Sequence, residues 1–460
     1  LYGAVLWTRV RSPPPPPIFI LELAESVTEY PIMNKICYLL LLLVLSLIFA
    51  CGKNTTEPPT ANELLQARVT ALVDSMWQNY LTQNDLDAGG VLFYAQRGDN
   101  VYFSKANLAG NIGKNSLFRA ASIAKTFTAS AIMLMQQRGE LNIDDCITAT
   151  IPGKDTAYLP DSPDYDIPFK GQISLRQLLE HRAGVFDLSN FDIPATVDAP
   201  YAGMNWLNYT EQQDPGHFFT VDEMIGILAQ HQLYHNEPGA AHQYSNTGYI
   251  LLGKIIERVS GMSYEDYVKS EILEPNGLAA TSFPLDVAQH LSNPRIPGMI
   301  YLPEGAIDID LYNMSFEFAQ GNLVTNAADL LYWLRKWQTG TAGLDLSTVL
   351  EMRESDYPDQ NYGLGTSFSP GFGYGHTGAI AGYITLMYYD PDTDFSFVLL
   401  SNMWNMKSDA SFDDHAYTLF DIAAKAKKLI TAENPGTGSP VSEQGGGRAA
   451  KRDISAQYGR

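Results

Sequence analysis

Strand-forming segments lie near both ends of the chain, so a sheet that joins them must be closed by its two termini. The first, Gly89 to Phe103, reads as two strands around the turn Arg97-Gly98-Asp99-Asn100. The second pairs Ile384–Tyr389 with Phe395–Ser401 across Asp390-Pro391-Asp392-Thr393-Asp394, a hairpin with clear turn chemistry. Between them the pattern is mainly helical. Ser122 to Arg138 is rich in Ala, Ile, Met and Leu and stops at Gly139, and Leu175–His181, Thr220–Gln232, Thr247–Val259 and Ala327–Gln338 follow. Helices also flank the whole. Leu64, Leu65, Val69, Leu72, Val73 and Met76 share one face of Ala61 to Gln83, and a last helix spans Asp413–Ile430. The expected class is α+β: an antiparallel β-sheet flanked by helices, with a mainly helical lobe inserted over about 141–320 of a 61–430 body. No internal repeat is apparent.

Ahead of this body the chain changes character. Met33-Asn34-Lys35-Ile36 and the apolar run from Cys37 to Ala50 read as a secretory signal over 33–50. The run is shorter than the ~20 residues of a spanning helix; an uncleaved anchor is the competing reading. It ends in Leu47-Ile48-Phe49-Ala50-Cys51, which resembles the lipobox of bacterial lipoproteins. That resemblance implies lipidation of Cys51 and a membrane partner reached through a lipid anchor. It also implies a bacterial cell-envelope address, periplasm-facing or extracellular. The following stretch to Thr60 is polar and Pro-containing, giving a tether over 51–60. Residues 1–32 carry the run Pro13 to Pro17 upstream of an initiator-like Met33, and read as a non-native upstream segment. The tail, 431–460, is rich in Gly, Ser and Pro and reads as disordered.

Ser122-Ile123-Ala124-Lys125 opens a helix, where positions i and i+3 are neighbours, so the lysine amine can reach the serine hydroxyl. Serine attacks a carbonyl only when a base takes its proton. A lysine among Ala and Phe side chains is desolvated, which favours its neutral, basic form. The backbone N–H groups at the helix start can stabilise an oxyanion. A four-residue pattern alone is weak evidence. Two further elements strengthen it. Tyr244-Ser245-Asn246 follows Glu237-Pro238-Gly239 and precedes an apolar helix, and His376-Thr377-Gly378 opens a β-rich stretch.

This three-part order resembles that of the penicillin-recognising enzymes. With Tyr in the middle element, the chain is similar to the class C β-lactamases, the related D-alanyl-D-alanine carboxypeptidases and their esterase cousins. Leu178-Leu179-Glu180-His181-Arg182-Ala183-Gly184, Gly248-Tyr249 with Leu251-Leu252-Gly253, and Gly321-Asn322-Leu323 extend the likeness over about Ala61–Ile430. Ala183 departs from the usual Ser or Thr. The resemblance implies that Ser122 forms an acyl-enzyme on an amide or ester carbonyl. Lys125 and Tyr244 would share general-base duty, and Tyr244 would protonate the leaving group. Asn246 would hydrogen-bond the lysine or the substrate amide, and the N–H groups of Ser122 and Ala379 would form the oxyanion hole. His376 and Thr377 would bind or polarise the substrate, often at a carboxylate. His376 stands where true class C β-lactamases usually have Lys, which places carboxypeptidase or related peptidase chemistry, or esterase chemistry, ahead of efficient antibiotic hydrolysis. The implied partner is a small-molecule or peptide substrate, with peptidoglycan in view, and no cofactor is implied.

Other signals count for less. With 51 acidic against 30 basic residues, the formal charge of −21 repels phosphate backbones and argues against a nucleic-acid partner. Of Cys37, Cys51 and Cys146, only Cys146 falls in the body, so no disulfide framework is available, and a buried apolar role is expected for it. Gly373 to Gly378 fits G-x-G-x-x-G, but a strand, not a helix, is expected after it. His231, His235 and His242 lack the Glu of a His-Glu-x-x-His site, so no metal is assigned. His181 reads as structural, while Tyr332, Trp333 and Trp337 read as core or cleft lining. A non-catalytic sensor of cell-wall fragments or β-lactams is the alternative from another class. It is disfavoured because Ser122, Lys125 and Tyr244 are all present.

Overall fold

The end segments do meet in one sheet. The computed structural model describes residues 58–432 apart from 286, 288–290, 310 and 356–360. The segment 1–32, the signal, Cys51 and nearly all of the 431–460 tail therefore lie outside the described residues. Strands β1 (Val91–Arg97), β2 (Asn100–Ala106), β3 (Phe118–Arg119), β4 (Met299–Leu302), β5 (Gly305–Asp308), β6 (Val324–Thr325), β7 (Ser367–Ser369), β8 (Gly373–Ile380), β9 (Tyr383–Asp390), β10 (Phe395–Ser401) and β11 (Met403–Asn405) form three sheets. The main sheet runs β2-β1-β10-β9-β8-β7 and is antiparallel throughout. β1 pairs with β10 along its whole length, Val91 opposite Ser401 and Arg97 opposite Phe395, which closes the sheet across more than 300 residues of chain.

Alternation along these strands builds two cores. Val91, Phe93 and Ala95 of β1, Ile384, Leu386 and Tyr388 of β9, and Phe397 and Leu399 of β10 point to one face. There they meet the first helix, Ala61–Gln83, and the last described helix, Asp409–Ala432. The first helix starts where Thr60 and Glu63 form a capping box, and its Trp77 stacks on Tyr80 at 5.2 Å. On the opposite face, Leu92, Met387, Val398 and Leu400 pack toward the helical lobe. The helix Ala124–Gln137 is buried from Ala124 to Met135, with its polar Lys125, Thr126 and Thr128 hydrogen-bonded within the core. Phe127 stacks on Trp333 at 4.3 Å, and Trp333 on Trp337 at 6.1 Å. Both tryptophans are core residues, while Tyr332 is exposed.

The inserted region holds more strand than its composition led us to expect. A hairpin of β4 and β5 lies within it, and β11 adds parallel to β4. Segments of four residues carry too little alternation to stand out in sequence. Cys146 is half-buried beside Ser174, not fully enclosed, because its segment runs along the edge of the lobe.

Closure by β10 sets the stability of the sheet. Leu399 is wholly buried between Phe93 and Leu386, so Leu399→Ala is expected to cost about 2–5 kcal/mol. Val101→Ala, on the exposed side of β2, should stay within about 0.5 kcal/mol. Urea midpoints of the two variants test this, and equal shifts would contradict the packing described.

Candidate active site

Ser122 sits in a 3-10 turn, Ala121–Ile123, that runs straight into the helix Ala124–Gln137. The regular helix thus begins two residues later than a helix opening at Ser122. Ala121 has φ of +51°, left-handed backbone that costs a non-glycine residue about 1–3 kcal/mol. The turn is held against β8: a Cβ on Gly378 would stand 2.1 Å from the Ala120 carbonyl oxygen. Only glycine allows that approach, which accounts for the third residue of His376-Thr377-Gly378.

Lys125 is fully buried one turn on, its Nζ 3.1 Å from Ser122 Oγ. The amine also donates to Asn246 Oδ1 at 2.6 Å and to the Gln320 carbonyl at 2.8 Å. A neutral amine has two N–H bonds and one lone pair. Two oxygens that can only accept take both N–H bonds, so the lone pair faces the serine hydroxyl. Burial pushes the Lys125 pKa well below the ordinary lysine range, opposed by the nearby Glu317 and Asp187 carboxylates. Burial in turn raises the Glu317 pKa, opposed mainly by Lys125.

Tyr244, Ser245 and Asn246 reach this point through a cap. Ser245 Oγ accepts the Gly248 N–H at 3.2 Å and starts the helix Asn246–Ser260, leaving Tyr244 just outside it and Asn246 in its first turn. The Tyr244 ring lies under Lys125 Nζ, 5.0 Å from it, and its hydroxyl hydrogen-bonds Ser122. Burial raises the Tyr244 pKa well above normal, and the Ser122 hydrogen bond opposes this. At neutral pH Tyr244 therefore carries its proton. His181, also in left-handed backbone, packs its ring 4.0 Å from that of Tyr244 and accepts the Ser245 N–H at 3.1 Å.

Ser122, Asn246 and Ala379 open onto one cleft of about 560 Å³, whose walls include Ser189, Glu211, Tyr312, Asn313, Glu317 and Trp404. Thr377 is buried on β8 beside the nucleophile turn. His376 is buried as well and does not line the cleft. Its Nδ1 faces the Thr377 carbonyl, which can only accept, so Nε2 accepts from the Tyr362 hydroxyl at 2.9 Å. Burial lowers its pKa to about 3, so the ring is neutral. Tyr362 packs in turn against His181 and Tyr244, at 4.8 and 6.2 Å. His231, His235 and His242 go to separate neighbours: Tyr201, the Asp187 N–H and the His181 ring.

Residues 73–421 match the family described as Beta-lactamase. This chain belongs to that family. It is 27% identical over 345 residues to penicillin-binding protein 4* of Bacillus subtilis (strain 168), covering 68% of each chain. Among solved structures it is similar to the D-amino acid amidase of Ochrobactrum anthropi SV3 complexed with D-phenylalanine. There the TM-score is 0.61 at 22% identity, over 80% of this chain and 99% of that one. It is also similar to a D-stereospecific amidohydrolase from Streptomyces, with TM-score 0.58 and 26% identity over 79% and 99%. The protein is a β-lactamase-related serine hydrolase.

For this Beta-lactamase-family chain, sequence reasoning missed Asp187, Glu317, Gln320 and Tyr362. Asp187 follows the Leu178–Gly184 segment by three residues, and Glu317 stands four before Gly321, so proximity to family stretches was the available signal. Asp187 is buried, accepts from Ser189 N–H at 3.0 Å and from Asn190 Nδ2 at 2.8 Å, and lies near enough to influence Lys125. The electrostatics give a pH dependence. Labelling of Ser122 by a fluorophosphonate should accelerate as pH rises through the Lys125 titration and level off well below the ordinary lysine pKa. Glu317→Gln removes a carboxylate that favours the ammonium form, so the rising limb should move to lower pH. A limb that does not move would contradict this coupling.

Proposed function

We propose that the chain hydrolyses amide bonds through an acyl-enzyme on Ser122, in the manner of a D-alanyl-D-alanine carboxypeptidase or a related peptidase. The observation that carries the proposal is the buried Lys125 amine, 3.1 Å from Ser122 Oγ and bonded to the Asn246 and Gln320 oxygens, which in its neutral form leaves a lone pair for the serine proton. Lys125 takes the serine proton as Oγ bonds to the carbonyl carbon. The resulting ammonium keeps the Asn246 and Gln320 oxygens and gains the Glu317 and Asp187 fields. The oxyanion is held by the N–H groups of Ser122 and Ala379. As the C–N bond breaks, Tyr244 gives its proton to the leaving amine, and Lys125 restores it. Water then attacks the ester by the reverse route.

His376 enters this scheme differently from a substrate-binding residue. Being buried and neutral, it supplies no charge to a substrate carboxylate. It supports Tyr244 through Tyr362. The names of the relatives, a penicillin-binding protein, an amidase and an amidohydrolase, fit amide chemistry on peptide or D-amino-acid substrates, peptidoglycan stem peptides among them. Among the described residues no helix is long and apolar enough to cross a membrane. We propose lipidated Cys51 as the anchor, which places the enzyme at the bacterial cell envelope.

Intact-mass analysis of membrane-extracted protein, after fluorophosphonate and separately after a penicillin, tests both proposals. We expect a diacylglyceryl-modified Cys51 start, and adducts that disappear in Ser122→Ala. Fluorophosphonate labelling without penicillin labelling would favour an esterase or amidase over a penicillin-recognising enzyme. Folded protein that takes neither reagent would support the sensor reading instead, and an unlipidated mass would remove the anchor.

A further inference from the structure

Among the described residues that line the cleft holding Ser122, the charged side chains are all acidic. Glu211 and Glu317 stand in its wall, and among the described residues no lysine, arginine or histidine lines it. Lys125 spends its N–H bonds on Asn246 and Gln320. His376 is neutral and faces Tyr362. Arg119 is buried in β3 and acts on Tyr312 from outside the cleft lining.

The two carboxylates are not equivalent. Glu211 accepts from Asn313 Nδ2 at 3.0 Å and is held to one wall. Glu317 receives one long contact from Gln320 Nε2 at 3.4 Å and faces the nucleophile. Its Oε2 occupies space that Gly321 leaves free: a Cβ there would stand 2.1 Å from that oxygen and 3.8 Å from the Ala121 carbonyl carbon. The carboxylate therefore lies within one side-chain length of the peptide bond leading into Ser122. Lys125, Tyr244 and Tyr312 all sense its charge. Glu317 acts on Lys125 through its field with no hydrogen bond to it among the described contacts, and the burial of its carboxylate is a cost that a cationic ligand would recover.

Resting on the acyl-enzyme reading, we infer that the acyl donor carries a free α-ammonium group that binds Glu317, with Glu211 adding to the attraction from the same cleft lining. An α-ammonium is about 2.5 Å from its own carbonyl carbon and a charge-assisted hydrogen bond adds about 2.8 Å, so a carbonyl attacked by Ser122 carries its α-nitrogen into the part of the cleft that Glu317 lines. A substrate carboxylate at the same place would meet two like charges in a partly desolvated cleft. The substrate class is thus an amino-acid amide or a peptide cleaved after its free amino-terminal residue, which within the proposed function selects the related peptidase over a carboxypeptidase acting on stem peptides.

The test compares D-alanyl-p-nitroanilide with N-acetyl-D-alanyl-p-nitroanilide in wild type, Glu317→Gln, Glu317→Asp and Glu211→Gln. Each variant is assayed on its pH plateau, and fluorophosphonate labelling of Ser122 serves as the control for a folded, activated site. We expect wild type to prefer the free amine by at least about tenfold in kcat/KM, chiefly through KM. Glu317→Gln should bring the ratio near one, Glu317→Asp should keep most of it, and Glu211→Gln should lower it less. Equal or better turnover of the acetylated substrate by wild type, or a Glu317→Gln variant that slows both substrates alike, overturns the inference. Labelling of Ser122 with no cleavage of either anilide overturns it as well, while leaving the acyl-enzyme reading intact. Loss of labelling in folded wild type is the separate result that would sink that reading.

Discussion

The site depends on an amine that is buried without charged hydrogen-bond partners. In water an ammonium is strongly hydrated; at Lys125 burial removes that water, and the two fixed neutral acceptors, Asn246 and Gln320, make up for only part of it. The arrangement draws on three separate parts of the fold: the helix from Ala124, the helix from Asn246 and the short helix Phe318–Gly321. None of them can shift without freeing an N–H, and a freed N–H would admit water and restore the ammonium. The sheet fixes their spacing, because β8 carries Gly378 against the Ala120 carbonyl and so pins the turn that presents Ser122.

A second layer holds Tyr244, the proposed proton donor. Tyr244 is confined by His181 on one side and Tyr362 on another, and Tyr362 is itself tied to His376. Burial makes both histidines neutral and keeps the tyrosine hydroxyl protonated. On the proposed mechanism, acid and base roles are thereby separated: desolvation favours the neutral base at Lys125 and, by the same physics, the neutral acid at Tyr244. Glu317 and Asp187 work in the opposite direction on Lys125, stabilising the ammonium that forms during attack.

Much of this was legible in sequence because it is carried by local pattern. The end hairpins declared themselves through alternation and turn residues, and β1 duly pairs with β10. Ser122 and Lys125 are set by helical spacing, and the cap at Ser245 fixes Tyr244 and Asn246 on either side of a helix start. What stayed hidden is carried by tertiary apposition. Gln320 contributes a backbone oxygen, which no side-chain pattern can announce. Glu317 and Asp187 have ordinary sequence surroundings and acquire meaning only where the fold brings them to one amine. His376 was found as a residue but not in its direction, since one turn of its ring decides between the cleft and Tyr362. The β4–β5 hairpin was too short to read.

The most direct test is an NMR titration of protein labelled with 15N at lysine Nζ, with Lys125→Arg to assign the resonance. The account predicts one lysine that loses its proton well below all the others, absent from the variant. If every lysine resonance, Lys125 included, titrates in the ordinary range, the neutral base is not there and the account is contradicted.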